Sequence, residues 1–479
     1  MSRSLLLFLT GRTLLVLGLL QLLPLLAALW GADAGAEAFG FSAGIILVLG
    51  GLFSFLGREH LWYMNVREGA AFMLLVWLSL ALGGMLPYLF MDEVPLADAI
   101  FESVSGLTTT GATCITASLP PSVHLWHAMM QWMGGLNVLI LLATVLPQVS
   151  GCFGISLILR QGSSSSRRLH WIGHDALQVA RVYLLFTLAV LALYFVCGLD
   201  GFGSLNLALV TMSTGGGYDM AALQHNGALQ IVTILCILFV SGNFLLYCCL
   251  GHTGRLRKLR DEHEFKVYLG MIFFFGCLVA WHLWRLDVYD LGESLRMGFF
   301  HVLSFSSTTG LVAADIAAWP DFDRYVLFAL VFVGGCIGSP TGGIRVLRLM
   351  ILFKSAFVGM RRTLHPHMVA SIQINGLPVP VKILGRILNF FFLYMGVFFL
   401  FSMLISLSGI TALEAMGVSA ACLSSVGSTS MLGGNMNVFV SLPDWAKLAC
   451  SFLMILGRLE IFSFLIVLQS GIHDLQRKW

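Results

Sequence analysis

The feature that most constrains this chain is its series of long apolar stretches. A helix needs about 20 mostly apolar residues to cross a bilayer. Ten stretches approach or exceed that length, at 5–30, 40–57, 70–91, 124–149, 178–198, 227–250, 266–286, 324–354, 384–408 and 443–470. Charged residues make up 11% of the 479 residues, whereas a soluble domain carries about 25%. The sequence therefore predicts an all-α polytopic membrane protein and excludes a soluble enzyme, a disordered chain and a coiled coil.

Four shorter apolar stretches, too short to cross a membrane, alternate with these spans at 95–109, 202–213, 293–307 and 411–425. A cluster of Gly, Ser and Thr follows each, and the central glycines are Gly111, Gly215, Gly310 and Gly427. After two leading spans, the order span, short stretch, cluster, span occurs four times, which is an internal repeat. We therefore expect two leading transmembrane helices at 1–66 and four pore repeats at 67–160, 161–262, 263–370 (with an intramembrane loop) and 371–479.

Basic residues favour one side of the predicted membrane. Most of the 27 Lys and Arg fall in the terminal segments or in alternate loops and helix ends, such as those with Arg167 and Arg361. Cytoplasmic loops carry such an excess. Both termini are thus expected in the cytoplasm, with all four Gly-containing clusters on the outer side. The net charge of +3 is too small to indicate nucleic-acid binding.

The repeated clusters indicate a path for cations. Irregular backbone is tolerated at membrane depth only where protein buries it or where it lines a water-filled cavity. Rings of backbone carbonyls can replace the hydration shell of a cation, and the negative C-terminal ends of the short helices favour positive ions. One such cluster alone would more often be a flexible loop, but four at matching positions favour a filter. The expected filter residues are Thr109, Thr110, Gly111, Ser213, Thr214, Gly215, Thr308, Thr309, Gly310, Ser425, Val426 and Gly427.

Two features below this filter are candidates for a gate. The eighth span contains a run that should interrupt a helix, with Gly334, Gly335, Gly338, Ser339, Pro340, Thr341, Gly342 and Gly343 as the candidate residues. Arg458 lies within the apolar last span, where a charge is costly and is a functional candidate. The alternatives are a static kink for the loop and, for Arg458, a helix-end position or a structural pair with Glu460. Residues two apart on a helix do not face each other, which disfavours that pair.

Acidic and histidine side chains in the short stretches have simpler expected roles. Glu102, Glu293 and Glu414 fall in or at the start of the short helices. Acids near helix N-termini complement the helix dipole, and we expect that role for Glu293 and Glu414. His127 and His301 are expected to be ordinary interfacial histidines near helix ends rather than metal ligands.

Several motifs carry a family resemblance. They are the segment 101–113 (FESVSGLTTTGAT), the run 131–135 (QWMGG), the loop 334–339 with 342–343, and the run 457–460 (GRLE). Together they resemble the Trk/Ktr/HKT superfamily of potassium transporters, most of all the bacterial Trk (TrkH-like) membrane subunits, over essentially the whole chain. The resemblance implies two leading helices and four helix–pore loop–helix units around one central pore. It also implies potassium sites at Thr110, Gly111, Thr214, Gly215, Thr309, Gly310, Val426 and Gly427.

The resemblance also implies how such a protein works. A Ser at the first filter position goes with sodium permeation in the superfamily, so Gly111 favours potassium. The intramembrane loop would obstruct ions and Arg458 would set a barrier. A homodimer and a separate cytosolic nucleotide-binding regulatory ring are implied as partners, besides membrane lipid and without nucleic acid. No covalent cofactor is expected, only potassium ions in the filter.

The function expected is potassium uptake across the bacterial cytoplasmic (inner) membrane, and two alternatives stay open. A sodium-permeable or sodium/potassium-coupled transporter would share the same fold. A polytopic membrane enzyme is a more distant alternative, because it needs polar catalytic residues clustered at one membrane face and the sequence offers none.

Overall fold

The computed structural model describes residues 3–57, 66–91, 94–115, 119–144, 169–217, 221–244, 247, 262–365, 371–375, 377–429 and 438–459. Helices dominate these residues. A short antiparallel pairing of β1 (Gln373–Ile374) with β2 (Leu377–Pro378) is the only sheet in the described part of the chain. This architecture agrees with the predicted all-α class.

Two leading helices, α1 (Arg3–Gly31) and α2 (Gly35–Leu56), pack against each other before the repeats begin. The remaining helices are α3 (Val66–Leu89), α4 (Leu96–Leu107), α5 (Pro121–Thr144), α6 (Leu169–Val196), α7 (Gly201–Met212), α8 (Ala221–His225), α9 (Gly227–Val240), α10 (His263–Arg285), α11 (Leu291–Ser306), α12 (Asp321–Val331), α13 (Val346–Leu364), α14 (Val381–Ser406), α15 (Ala412–Ser424), α16 (Val438–Ser441) and α17 (Asp444–Arg458). A 3-10 turn at Ile316–Ala318 precedes α12.

Seven segments of these helices are long and apolar enough to cross a membrane: Ser4–Gly31, Gly35–Leu56, Phe72–Leu89, Pro121–Leu142, Ala176–Val196, His263–Arg285 and Ile383–Ser406. They coincide with seven of the ten predicted spans. Of the others, the span at 227–250 is helical as far as Val240, the span at 324–354 is divided, and the span at 443–470 is helical as far as Arg458. Exposed large apolar side chains on these helices, such as Leu26, Phe273 and Met403, suit contact with lipid.

Four short helices, α4, α7, α11 and α15, occupy the four short apolar stretches. They have 12, 12, 16 and 13 residues, and at about 1.5 Å per residue each is too short to cross a hydrocarbon core of about 30 Å. Most of their residues are buried among the longer helices. The last helix, α17, packs against both α4 and α15, so the fourth repeat meets the first. We call these four the pore helices.

Two glycines allow the helices that follow the first and fourth pore helices to approach them closely. A Cβ on Gly134 in α5 would overlap the carbonyl oxygen of Leu107 at the end of α4. A Cβ on Gly457 in α17 would overlap the carbonyl oxygen of Leu423 in α15. Leu107 and Leu423 occupy equivalent places in their repeats, so the two repeats use the same backbone contact. Any larger residue at either glycine would displace the end of a pore helix.

Candidate functional site: four filter segments and an intramembrane loop

Each pore helix ends in the same backbone turn, and the turns define four filter segments: segment 1 (108–111), segment 2 (213–216), segment 3 (307–310) and segment 4 (424–427). The second residue of every segment has a φ between 53° and 60°: Thr109, Thr214, Thr308 and Ser425. A threonine at positive φ is strained, and the surrounding structure must enforce it. The third residue donates its N–H to the carbonyl five residues earlier, in the pairs Thr110–Ser105, Gly215–Val210, Thr309–Ser304 and Val426–Ala421.

The common turn allows the four segments to be aligned residue by residue. In this alignment the glycine of segment 2 that matches the other three lies one residue later than the predicted Gly215. In the other three segments the glycine with positive φ lies two residues after the strained residue, and these glycines are Gly111, Gly310 and Gly427. The residue two after Thr214 is Gly216, so Gly216 corresponds to them, while Gly215 corresponds to the residue before each glycine. Positive φ appears one residue later in this segment, at Gly217. The letters TTTG, STGG, STTG and SSVG were the sequence signal for this alignment.

The four segments close a ring. The atoms that a Cβ on each filter glycine would touch show which segments are adjacent. A Cβ on Gly111 would meet Gly216, one on Gly310 would meet the carbonyl oxygen of Val426, and one on Gly427 would meet the carbonyl oxygen of Thr110. A Cβ on Gly216 would lie 3.0 Å from the carbonyl oxygen of Thr309, and 3.3 Å from that of Val426 across the ring. Each segment therefore adjoins the next one along the chain, and segment 4 adjoins segment 1. Segments 1 and 3 lie opposite each other, as do segments 2 and 4.

Oxygen atoms are the polar groups that this ring offers. The segments are buried, except for half-buried Gly427, and their side chains carry no charge. The hydroxyls of Thr109 and Ser425 are buried without a hydrogen-bond partner among the described residues. Buried polar groups are normally partnered, so these oxygens suit an ion or water. Nowhere in the described residues do three or more His, Cys, Asp or Glu side chains gather as a metal site would require.

A non-helical loop at 332–345 divides the eighth predicted span into α12 and α13, as its glycines and proline predicted. The loop lies against two filter segments. The N–H of Gly342 donates to the hydroxyl of Thr308 in segment 3 at 2.8 Å, and a Cβ on Gly342 would overlap the carbonyl oxygen of Ser424 in segment 4. The loop is therefore packed directly on the ring.

Hydrogen bonds to other helices and within the loop fix its shape. The N–H of Ile337 donates to the carboxylate of Glu264 in α10 at 2.7 Å, and the N–H of Cys336 donates to the carbonyl of Ser241 at 3.0 Å. Within the loop, the hydroxyls of Ser339 and Thr341 lie 2.6 Å apart. Residues 334–342 are buried. The remaining candidate loop residues, Gly334, Gly335, Gly338, Pro340 and Gly343, lie in the same packed segment.

Arg458, the last residue of α17, joins the loop to filter segment 1. Its Nε donates to the carbonyl of Thr108 at 2.6 Å, and its Nη1 donates to the carbonyl of Pro340 at 2.5 Å. The side chain is buried, and its Nη2 has no partner among the described residues. Arg458 lines a small cavity beside the loop, and Arg345 and Arg348 line that cavity too. The structure thus gathers positive charge beside the loop. The alternative pairing of Arg458 with Glu460 lies outside the described residues.

The acidic side chains outside the ring differ in role. The Thr411 hydroxyl accepts the N–H of Glu414, and the Glu414 carboxylate accepts the N–H of Thr411, which is the predicted cap of α15. Glu293 lies in the first turn of α11 and pairs with Arg296 at 3.4 Å. Glu262, just before α10, accepts from the amide of Asn243 at 3.2 Å. Burial raises the pKa of the Glu262 carboxyl above its usual value, and this hydrogen bond opposes the shift.

The expectation for His301 was wrong. It is fully buried in the middle of α11 rather than interfacial. Glu102 is likewise buried inside α4, away from its first turn. The prediction for His301 failed because the short stretches are packed inside the protein, and hydropathy alone does not show which face of such a helix meets a neighbour.

The comparison with known families comes to the same architecture. Residues 38–204 and 267–473 match the family model of TrkH, described as a cation transport protein. The chain belongs to the TrkH family. Two relatives of this family are the Trk system potassium uptake protein TrkH of Escherichia coli (strain K12), 31% identical over 93% of this chain and 94% of that one, and its namesake in Halomonas elongata, 29% identical over 98% of both.

A solved member of the family has the same fold. The crystal structure of the potassium transporter TrkH from Vibrio parahaemolyticus superposes with a TM-score of 0.89, at 27% sequence identity, over 98% of this chain and 99% of that one. This likeness confirms the predicted polytopic membrane fold with its pore repeats. Membership of a transport family also decides against the membrane-enzyme alternative.

Proposed function

We propose that this TrkH-family protein carries potassium ions into a bacterium through the ring of filter segments, by a channel-like path down the electrochemical gradient. The observation that carries this proposal is the closed ring of four segments with one common backbone turn. Carbonyl rings of this kind can substitute for the water around a cation. The relatives are Trk system potassium uptake proteins, which supports potassium as the cargo.

The proposed ligands are oxygens of the four segments, so potassium is cargo and no covalent cofactor takes part. The segments offer Thr109, Thr110 and Gly111; Ser213, Thr214 and Gly215; Thr308, Thr309 and Gly310; and Ser425, Val426 and Gly427, with potassium sites at the last two residues of each set. The alignment of the turns adds Gly216 to this set. The unpartnered hydroxyls of Thr109 and Ser425 support water or ions on this path.

The proposed gate is the loop at 334–343 together with Arg458. The loop packs on segments 3 and 4, and Arg458 bonds both the loop and segment 1. Opening the path would therefore require Arg458 to release Pro340. A buried positive charge also repels a passing cation. The Arg458 side chain would therefore both hold the loop closed and oppose the passage of ions electrostatically.

The surroundings of the pore follow from the repeat and the charge pattern. We propose a multi-pass protein of the cytoplasmic membrane, in contact with lipid, with both termini inside and repeats bounded at 66/67, 160/161, 262/263 and 370/371. Two copies would form a homodimer, each with its own pore. A cytosolic nucleotide-binding ring would supply regulation. No role for nucleic acid is proposed.

Ion flux into liposomes tests the proposed function. The purified protein should carry potassium and rubidium in preference to sodium. Gly111→Ser should increase sodium flux relative to potassium, because a side chain at Gly111 would overlap segment 2 and alter the ring. Equal flux of all three ions in the unaltered protein would contradict potassium selectivity and favour the sodium-permeable alternative. Absence of flux even when Arg458 is replaced by Ala would contradict the channel itself.

A further inference from the structure

Two buried side chains lie behind the ring at the same place in opposite repeats. Glu102 precedes Gly111 by nine residues, and His301 precedes Gly310 by nine residues. Each accepts the backbone N–H of the residue three positions after its glycine. Cys114 donates to Glu102 Oε1 at 2.8 Å, and Ala313 donates to His301 Nε2 at 3.1 Å. A carboxylate and an imidazole therefore make the same contact in segments 1 and 3.

A second pair of hydrogen bonds repeats the match. The hydroxyl of Ser105 donates to the carbonyl of Ala112 at 2.6 Å, and that of Ser304 donates to the carbonyl of Leu311 at 2.6 Å. Each serine lies six residues before its filter glycine. In both repeats two hydrogen bonds hold the backbone that follows the filter glycine to its own pore helix. We call segments 1 and 3 the braced segments.

The other two segments lack these contacts because the chain places apolar residues there. The positions of Glu102 and His301 are occupied by Leu207 in α7 and Val418 in α15. The positions of the two serines are occupied by Val210 and Ala421. None of these four side chains can accept or donate a hydrogen bond. Braced and unbraced segments therefore alternate around the ring.

The braces sit in surroundings that strengthen hydrogen bonds. Glu102 is 2% exposed, and its Oε1 also accepts the hydroxyl of Thr113 at 2.7 Å. Its Oε2 lies 3.4 Å from His127 Nδ1. The low local dielectric of such buried surroundings strengthens these hydrogen bonds.

The bonds of His301 define its tautomer. His301 is fully buried, and its Nδ1 lies 2.8 Å from the carbonyl of Met297. A carbonyl accepts only, so Nδ1 carries the proton and Nε2 keeps the lone pair that accepts from Ala313. The imidazole is thus neutral here and serves as an acceptor, as the Glu102 carboxylate does.

We propose that Glu102 and His301 are positioning residues for cation discrimination. By holding the strands after Gly111 and Gly310, they keep the carbonyls of two opposite segments from closing around an ion smaller than potassium. This inference rests on the proposed potassium function. It adds that discrimination is supported by one opposite pair of segments rather than equally by all four.

The test compares ion flux in liposomes for variants that lose or keep the acceptor. Glu102→Leu should lower the potassium-over-sodium flux ratio by about tenfold, and His301→Leu by about fivefold, because Glu102 Oε1 accepts two hydrogen bonds and His301 Nε2 accepts one, each worth about 0.5–1.5 kcal/mol. Glu102→Gln and His301→Gln keep an acceptor oxygen and should restore most of the ratio. Leu207→Met, an apolar exchange at the same position of segment 2, is the matched control and should leave the ratio unchanged.

The outcomes distinguish failure of the proposed positioning role of Glu102 and His301 from failure of the proposed potassium function. An unchanged ratio in folded Glu102→Leu and His301→Leu protein, with a selective parent, would overturn the brace alone. A parent protein without preference for potassium would instead overturn the proposed function. If Glu102→Leu does not fold, His301→Leu and the two Gln variants decide. Loss of the ratio in both Gln variants would also contradict the proposal, because their acceptor is intact.

Discussion

The two pairs of opposite filter segments share a backbone but differ in support. In segments 1 and 3 the hydroxyls at the first and third positions lie 2.8 Å apart: Thr108 with Thr110, and Ser307 with Thr309. The third position is Gly215 in segment 2 and Val426 in segment 4, and neither has a hydroxyl. The ring therefore repeats one backbone turn four times, with positive φ one residue later in segment 2, whereas its side chains match only between opposite segments. Common geometry in a repeat does not require common stabilisation.

The unbraced segments are also held by helices other than their own pore helices. The amide Nε2 of Gln131 in α5 donates to the carbonyl of Gly216 at 2.9 Å. The hydroxyl of Tyr394 in α14 lies 2.8 Å from that of Ser424. Both α5 and α14 are long, span-forming helices. Movement of α5 or α14 would therefore reach segments 2 and 4 directly, whereas segments 1 and 3 receive their outside hydrogen bonds from Arg458 and from the loop.

Glycine substitutions at the ring should produce the largest effects. In Gly310→Ala the new methyl group would overlap the carbonyl of Val426, at a φ of 70° that favours glycine. Left-handed backbone costs an L-residue about 1–2 kcal/mol and overpacking about 1–3 kcal/mol, so potassium flux should fall by about a hundredfold. Gly396→Ala in α14, where a Cβ meets nothing within 4 Å, is the control. Equal flux in the two variants would show that ions do not pass the ring.

Removing the Arg458 side chain should raise flux. Arg458→Ala deletes the bonds to Pro340 and Thr108 and the buried charge. Two hydrogen bonds from a charged donor are each worth about 1.5–3 kcal/mol, and even partial release of the loop should raise flux about tenfold. Arg458→Lys keeps the charge and loses the fork of donors, so it should lie between parent and Ala variant. Unchanged flux in both the Ala and the Lys variant would show that Arg458 does not hold the loop closed.

Gly216→Ala should have a smaller effect than Gly310→Ala, because Gly216 lacks positive φ. Its Cβ would lie 3.0 Å from the carbonyl oxygen of Thr309, so flux should fall by about tenfold through crowding. In Gly215→Ala the Cβ would displace the side-chain amide of Gln131 from the Gly216 carbonyl. The loss of flux should be smaller still, because one hydrogen bond is worth about 0.5–1.5 kcal/mol and no main-chain atom is overlapped. A larger loss of flux in Gly215→Ala than in Gly216→Ala would contradict the alignment of segment 2.

The sequence was sufficient for the fold because length and hydropathy are local properties. Apolar stretches gave seven continuous spans, and their shorter counterparts gave the pore helices. Glycine and proline predicted the break between α12 and α13. The structure aligns Gly216 with the other filter glycines, whereas the sequence pointed to Gly215, because three consecutive glycines follow Thr214 and composition does not say which of them corresponds. The contacts of Glu102 and His301 were missed because each forms with a backbone segment that folds back onto its own helix.

The smallest effects should come from moving a brace from one pair of segments to the other. Ser304→Ala removes the hydrogen bond to the Leu311 carbonyl and should destabilise the protein by about 1 kcal/mol. Ala421→Ser places a hydroxyl at the equivalent position of segment 4, where the main chain makes the same turn. If that turn is enough to orient the following strand, the serine should raise the unfolding temperature slightly, in proportion to a gain of up to about 1 kcal/mol. A lower unfolding temperature would show that the strand after Gly427 takes another course, and that the twofold support follows from the backbone rather than from the choice of side chains.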